Sequence, residues 1–407
     1  MFVWWEIWLF VAVNQYLAEV QEVQGLYGPL GITERMLQRI WKQKDFTESR
    51  LRTLEGQPIR VLRSGSWNHR EGPDFLDASL EINGQPVRGD VEIHFRSRDW
   101  RRHGHQLDAN FSSVALHVVV FPPTPGEAMA ETSKGVLLPT CSLLEAMDCS
   151  LEEYAELEVL RNLSGRNASD FSRTFLALPL EIREARLKSF ARERWGAKVA
   201  WATSRLFKAT WEELCHQLFL EVLGHPRNRA VMSSIALAHP LPQWRDKLLD
   251  PDQLFASRQE RWKLAGTRPQ NHPRLRLRQY LGLFASRPDW ALLAREFGFS
   301  LPSGGECEQT SLFRKQRLMP EKKDCLINEV LGGAIPGGSA HTWMVDGLLP
   351  LVTAESGKDL FAWWFHWFAG NAPALLGTSL RGIGVIGKPT APLCNGWIQG
   401  ALGSVTQ

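Results

Sequence analysis

Residues 78–95 constrain this chain more tightly than any other stretch. Ala78-Ser79-Leu80-Glu81-Ile82 reads as a strand, Asn83-Gly84 as a two-residue turn, and Val87 to Phe95 as the return strand. Asn-Gly between alternating apolar residues is a strong short-range signal for a β-hairpin. In the return strand Val87, Gly89, Val91, Ile93 and Phe95 share one face, and Arg88, Asp90, Glu92 and His94 share the other. A solvated face usually mixes Thr, Lys, Ser and Gln; this one sets two carboxylates and an imidazole in a row. A further acid, Asp74, precedes the hairpin in Gly72-Pro73-Asp74-Phe75.

The flanking segments extend the hairpin into a sheet. Residues 32–44 carry an apolar stripe of Met36, Leu37, Ile40 and Trp41 behind a Thr33 cap, which predicts a helix. Residues 57–63 predict a strand, and 113–121, nearly continuous in apolar residues, a strand buried on both faces. Between hairpin and buried strand, 96–110 predicts a loop and a short helix. It bears Trp100, His103, His105, Asp108 and arginines 96, 98, 101 and 102. A small strand at 135–139 would add an edge. From Leu143 onward helical patterns dominate, at 151–163, 178–194, 196–208, 211–223, 228–239 and 251–264. A basic linker at 268–278 leads to another helix, and an aromatic helix covers 361–368. The expected class is α+β: a helical extension over 1–30, an α/β domain over 31–141 and an irregular α-helical domain over 142–407.

A length of 407 residues suits more than one domain. With 47 Lys and Arg against 44 Asp and Glu, bulk charge is too mild to argue for nucleic acid, so only a local basic patch could serve. The six cysteines form no CxxC pair, which argues against a zinc ribbon; a disulfide framework is not expected in so long a chain. A reduced, cytoplasmic protein is expected. Residues 1–13 are apolar but interrupted by Glu6 and shorter than a membrane span, so no membrane association is expected.

Adjacent carboxylates repel, and a hard divalent cation such as Mg²⁺ or Mn²⁺ resolves the repulsion with oxygen ligands. Pro73-Asp74, a hairpin, and an acidic triplet in the return strand resemble the PD-(D/E)XK nuclease superfamily, whose core also runs helix, strand, hairpin, helix, strand. The resemblance implies a restriction-endonuclease-like core, with Asp74 and Glu92 as metal ligands, Asp90 as a further acid and DNA or RNA as substrate. The triplet is either Glu92-Ile93-His94, with His94 at the usual Lys position and handling the attacking water, or Asp90-Val91-Glu92. Neither framing supplies the Lys. A second resemblance, over about 32–402, is to an uncharacterised bacterial family of unknown function. It rests on Gly72-Pro73-Asp74-Phe75, Gly89-Asp90-Val91-Glu92-Ile93-His94, His103-Gly104-His105, Leu116-His117-Val118-Val119, Gly224-His225-Pro226-Arg227-Asn228 and Arg268-Pro269 with Pro273.

One geometric condition follows. A two-residue turn at Asn83-Gly84 pairs Ile82 with Gln85 and, carried down the ladder, sets Asp74 opposite Ile93 instead of Glu92. A bulge at Gly89 or a bend after Pro73 is expected to restore the phase. Plainer readings stay open. Asp74 can be a turn cap; Asp90, Glu92 and His94 can be a solvated face paired with Arg88, Arg96 and Arg98; His117 can be a hydrogen-bonded core histidine. His103, His105, Asp108, His117, Arg96 and Arg98 are candidates for supporting or phosphate contacts, as are the alternating arginines 274, 276 and 278. Trp363, Trp364 and Trp367 read as core. Two rivals to a metal-dependent phosphodiesterase remain: a catalytically silent nucleic-acid-binding or scaffold protein, and a zinc hydrolase built on His103, His105 and Asp108.

Overall fold

The computed structural model describes residues 20–23, 30–124, 126–144, 146–147, 151, 154–155, 172–224, 227–246, 249–264, 267–305, 309–372, 374–387 and 393–404. Within the expected helical extension over 1–30, Val20–Val23 is a strand instead; residues 1–19 and 24–29, most of the expected helix over 151–163, and His225-Pro226 lie outside the described residues. The chain divides into two compact units, one of 1–21 with 32–148 and one of 22–31 with 149–407.

The first unit is a mixed sheet with a helix at its start. Glu34–Gln43 (α1) is capped by Thr33, whose hydroxyl accepts from the Met36 N–H, and it buries Met36, Leu37, Ile40 and Trp41 as the stripe requires. Six strands follow: Ile59–Arg63 (β1), Ser66–Trp67 (β2), Phe75–Ile82 (β3), Gln85–His94 (β4), Val114–Val119 (β5) and Thr140–Ser142 (β6). Their order is β1-β3-β4-β5-β6, with β2 pairing β3. Pairing is antiparallel from β1 to β4 and parallel from β4 through β6. The segment between β4 and β5 holds a single α-turn, Asp99–Arg102 (α2), and two 3₁₀ turns. Residues 135–139 form only an isolated bridge, Glu131 with Leu137; the edge strand lies just beyond, at Thr140–Ser142.

The hairpin forms with Ile82 opposite Gln85, and its phase is reset by a bulge in the outgoing strand, away from Gly89. Ala78 pairs Gly89 but Phe75 pairs Val91, so Leu76 and Asp77 together face Asp90. Asp77 takes a left-handed φ of 54°, and its N–H donates to Asp90 Oδ1 at 2.9 Å. Gly89 is required for another reason: a Cβ there would lie 2.6 Å from both the Ala115 Cβ and the Ser113 carbonyl.

The second unit is helical. Leu180–Leu206 (α3) runs unbroken through Gly196, where two helices were expected; open space around Gly196 lets the helix continue at a modest propensity cost. Trp211–Leu223 (α4) matches its expected bounds, and 251–264 shortens to Pro251–Ala256 with a 3₁₀ turn. The basic segment is no linker beyond Pro273, because Pro273–Ser286 is a helix. Arg274 and Arg278, one turn apart, both bind Asp252, and Arg276 is buried against Asn271 and Gln279, so no alternating cationic edge exists. Trp363, Trp364 and Trp367 are buried, as is an ion pair of Lys198 with Asp346 at 2.8 Å. Among the described residues, no helix is long and apolar enough to cross a membrane.

Candidate functional site

The bulge sets Asp74 beside Glu92. The Asp74 N–H donates to Glu92 Oε2 at 3.0 Å, and Asp74 Oδ2 accepts from the Ile93 N–H at 3.0 Å. The loop before Asp74 is fixed by Asn68, whose N–H donates to the Asp74 carbonyl and whose side chain donates to the Glu71 and Pro73 carbonyls. From α1, Gln38 donates to Asp74 Oδ1 at 2.5 Å, and Trp67 Nε1 donates to Gln38 Oε1 at 3.0 Å, which aims the amide nitrogen at the acid. Asp74 is therefore more than a turn cap.

One turn before Gln38, on the same face of α1, stands Glu34, which the sequence reading passed over. Its Oε1 is buried without a hydrogen-bond partner. Burial first, then the Asp74, Asp99 and Glu92 charges, push its carboxyl up to about 8. Burial likewise raises Asp74, with the Glu92 charge adding to it, and raises Glu92, all far above the ordinary carboxyl range. Among the described residues, no lysine or arginine forms an ion pair with any of the three.

Asp90 does not join them. Its oxygens are taken by the Asp77 N–H and, at 2.5 Å, by the Ser113 hydroxyl, which holds the bulge. The solvated-face reading fails for its neighbours, since Glu92 is 6% and His94 1% exposed. Of the arginines invoked for it, Arg88 pairs with Asp77 and Arg96 lies over the Phe121 ring, while Arg98, whose backbone N–H donates to Glu127, is exposed.

On the other side of Glu92 four imidazoles meet. The α2 segment folds His103 and His105 back over β4, and the parallel β4–β5 pairing sets His117 beside Glu92. His94 Nε2 lies 3.1 Å from His103 Nδ1, 3.3 Å from His105 Nε2 and 3.4 Å from Glu92 Oε1. Its Nδ1 lies 3.0 Å from His117 Nε2, so His117 is a hydrogen-bonded core histidine. Trp100 packs edge-on to His94, and Phe111 lies 3.8 Å from the His105 ring. Burial holds three of these imidazoles neutral: His105 falls to about 4, His117 to about 3, and His94, with neighbouring imidazoles adding to the effect, well below 6.5. Asp108 caps the next turn by accepting from the Asn110 N–H, and its charge acts on His105 against the effect of burial. Arg102 reaches both Asp99 and His103 Nε2.

Residues 34–257, more than half of the chain, match the model of a family described as Protein of unknown function (DUF2851). The chain belongs to this family. The matched span opens at Glu34 and holds every acid and imidazole of the site. Arg268-Pro269 and Pro273 fall beyond it. No curated protein and no solved structure matches the chain.

Proposed function

We propose that the chain is a divalent-cation-dependent phosphodiesterase acting on DNA or RNA, with a nuclease-like, restriction-endonuclease-like core. The observation that carries this reading is the burial of Glu34, Asp74 and Glu92 together, with no lysine or arginine paired to them among the described residues and one oxygen of Glu34 unpartnered. Hard oxygen donors of this kind suit Mg²⁺ or Mn²⁺, which Asp74 and Glu92 would hold with Glu34 as a third donor. Bound there, the cation supplies positive charge to a phosphoryl group under in-line attack and acidifies water.

The chain's own groups have distinct tasks. Gln38 and the Ile93 N–H orient the Asp74 carboxylate, and the Asp74 N–H orients Glu92. His94 replaces the superfamily's usual Lys, and its neutral Nε2 is positioned to accept a proton near Glu92 Oε1. Arg98 and Arg102 are exposed and can meet substrate phosphates. Mn²⁺-dependent cleavage of single- and double-stranded DNA and RNA tests the reading. The wild type should cleave, and Asp74→Asn or Glu92→Gln should lose about two orders of magnitude or more in rate. Variants as active as wild type would refute it. The lowered basicity of His94 favours the second reading, a silent nucleic-acid-binding or scaffold protein. That reading gains if the wild type retains nucleic acid on filters but never cleaves it.

A further inference from the structure

The carboxylate cluster accounts for one oxygen of Glu92 and leaves the other among imidazoles. His94 Nε2, His105 Nε2 and Glu92 Oε1 form a triangle with sides of 3.3 Å between the histidines, 3.4 Å from Glu92 to His94 and 3.3 Å from Glu92 to His105. A tetrahedral zinc site with bonds of about 2.0–2.1 Å has edges of about 3.3–3.4 Å. The triangle therefore has the size of one face of such a site. The structure assigns a second metal site here, for a borderline transition ion such as Zn²⁺, held by His94, His105 and Glu92; with that ion bound, the His94 Nε2 lone pair is a ligand and no longer accepts a proton.

Three further features favour a built site over a chance meeting of side chains. His103 Nδ1 stands 3.1 Å from His94 Nε2, and ligand-capable atoms of His94, His103 and His105 all lie within 4.8 Å of one another, so a fourth donor stands on the outer side. Both inner ligands are held from behind. His94 Nδ1 meets His117 Nε2 at 3.0 Å, a contact that can fix the tautomer presenting the Nε2 lone pair, and Glu92 Oε2 accepts from the Asp74 N–H. Trp100 and Phe111 wall the imidazoles with apolar surface. Imidazole nitrogen with a single carboxylate selects for Zn²⁺, Co²⁺ or Ni²⁺ over Mg²⁺, which keeps this site chemically distinct from the oxygen cluster. Asp108, the acid that sequence spacing offers as partner to His103 and His105, takes no part, because it caps the Asn110 turn.

The inference needs no phosphodiesterase activity. The probes are Zn²⁺ and Co²⁺, added to the metal-stripped full chain. One Zn²⁺ per chain should survive dialysis, and Co²⁺ should give the intense visible absorption of a tetrahedral site. His105→Ala should weaken Co²⁺ binding about 100-fold or more, and His117→Phe by about 10–100-fold through its loss behind His94. Asp74→Asn should lose nuclease activity yet keep the Co²⁺ spectrum, so the two readings fail separately. X-ray absorption of the Zn²⁺-loaded wild type, which needs no variant to fold, should show at least two imidazoles and no sulfur. Sulfur ligation, absence of bound Zn²⁺, or unchanged Co²⁺ affinity in a folded His105→Ala would overturn the assignment.

Discussion

Raising the pH from 6.5 to 8 in a chelating buffer should loosen the sheet around the site. The sign follows from which state binds more protons. Glu34 titrates at about 8 in the folded chain against an ordinary 4.5, and Asp74 and Glu92 are raised in the same direction. Between roughly 4.5 and 8 the folded state therefore holds protons that the unfolded chain has lost, and stability falls as pH rises. The imidazoles act oppositely. His105 at about 4 and His117 at about 3, with His94 also lowered, are neutral when folded but charged when unfolded below 6.5, so they add stability as pH rises toward that value. The two sets offset each other between roughly 4.5 and 6.5, and only the carboxyls act above it. From pH 6.5 to 8 each carboxyl that stays protonated costs about 2 kcal/mol. Three would reach a ceiling of about 6 kcal/mol; partial exposure of Glu34 and solvent screening bring the expected loss to roughly 3 kcal/mol. A chain of two compact units has no single melting point that reports this, so hydrogen exchange over residues 87–95 is the assay, which includes the Ile93 N–H bound to Asp74. Protection, corrected for intrinsic rate, should fall about 100-fold in EDTA and recover with Mn²⁺. Asp74→Asn should show a shallower fall. Protection that stays level or rises with pH in EDTA would refute the burial argument.

Two further outcomes test the framework. Gly89→Ala should cost about 1–3 kcal/mol in urea unfolding, because its methyl meets Ala115 and the Ser113 carbonyl at 2.6 Å; a neutral substitution would contradict that close approach. Lys198→Met should cost about 3–5 kcal/mol by leaving Asp346 buried and unpaired, and adding Asp346→Leu should recover most of it; a double variant no better than the single would deny the pairing.

The hairpin was legible because two independent signals coincide there, period-two alternation and an Asn-Gly turn. Its phase was not. The bulge falls on Asp77, a residue without glycine's tolerance of positive φ, and the group that stabilises it, Asp90, looked like part of the site. Glu34 was hidden because an acid in the first turn of a helix has a sufficient reason in the helix dipole. The signal that could have found it is Gln38, a second polar residue one turn on, beside an otherwise apolar stripe. The histidines were each noticed, but their convergence depends on the α2 crossover and a parallel pairing, neither of which leaves a local mark. In the second unit, Gly196 suggested a break that packing overrode, and arginines alternating along the sequence lost their common edge once the segment proved helical.

The extra residue at Leu76–Asp77 also makes chain length carry information that residue identity does not. Deleting one residue there would leave the ladder from Ala78 to Ile82 and the turn beyond it intact, so the hairpin would still form. Asp74 would also stay opposite Glu92, since a single residue facing Asp90 still leaves Phe75 on Val91. What separates the two acids is loss of the bulge with the residue kept, because a regular ladder of the present length sets Asp74 opposite Ile93. A relative that counts one residue fewer between Pro73 and Asn83 would hold the same carboxylate pair on a hairpin without a bulge.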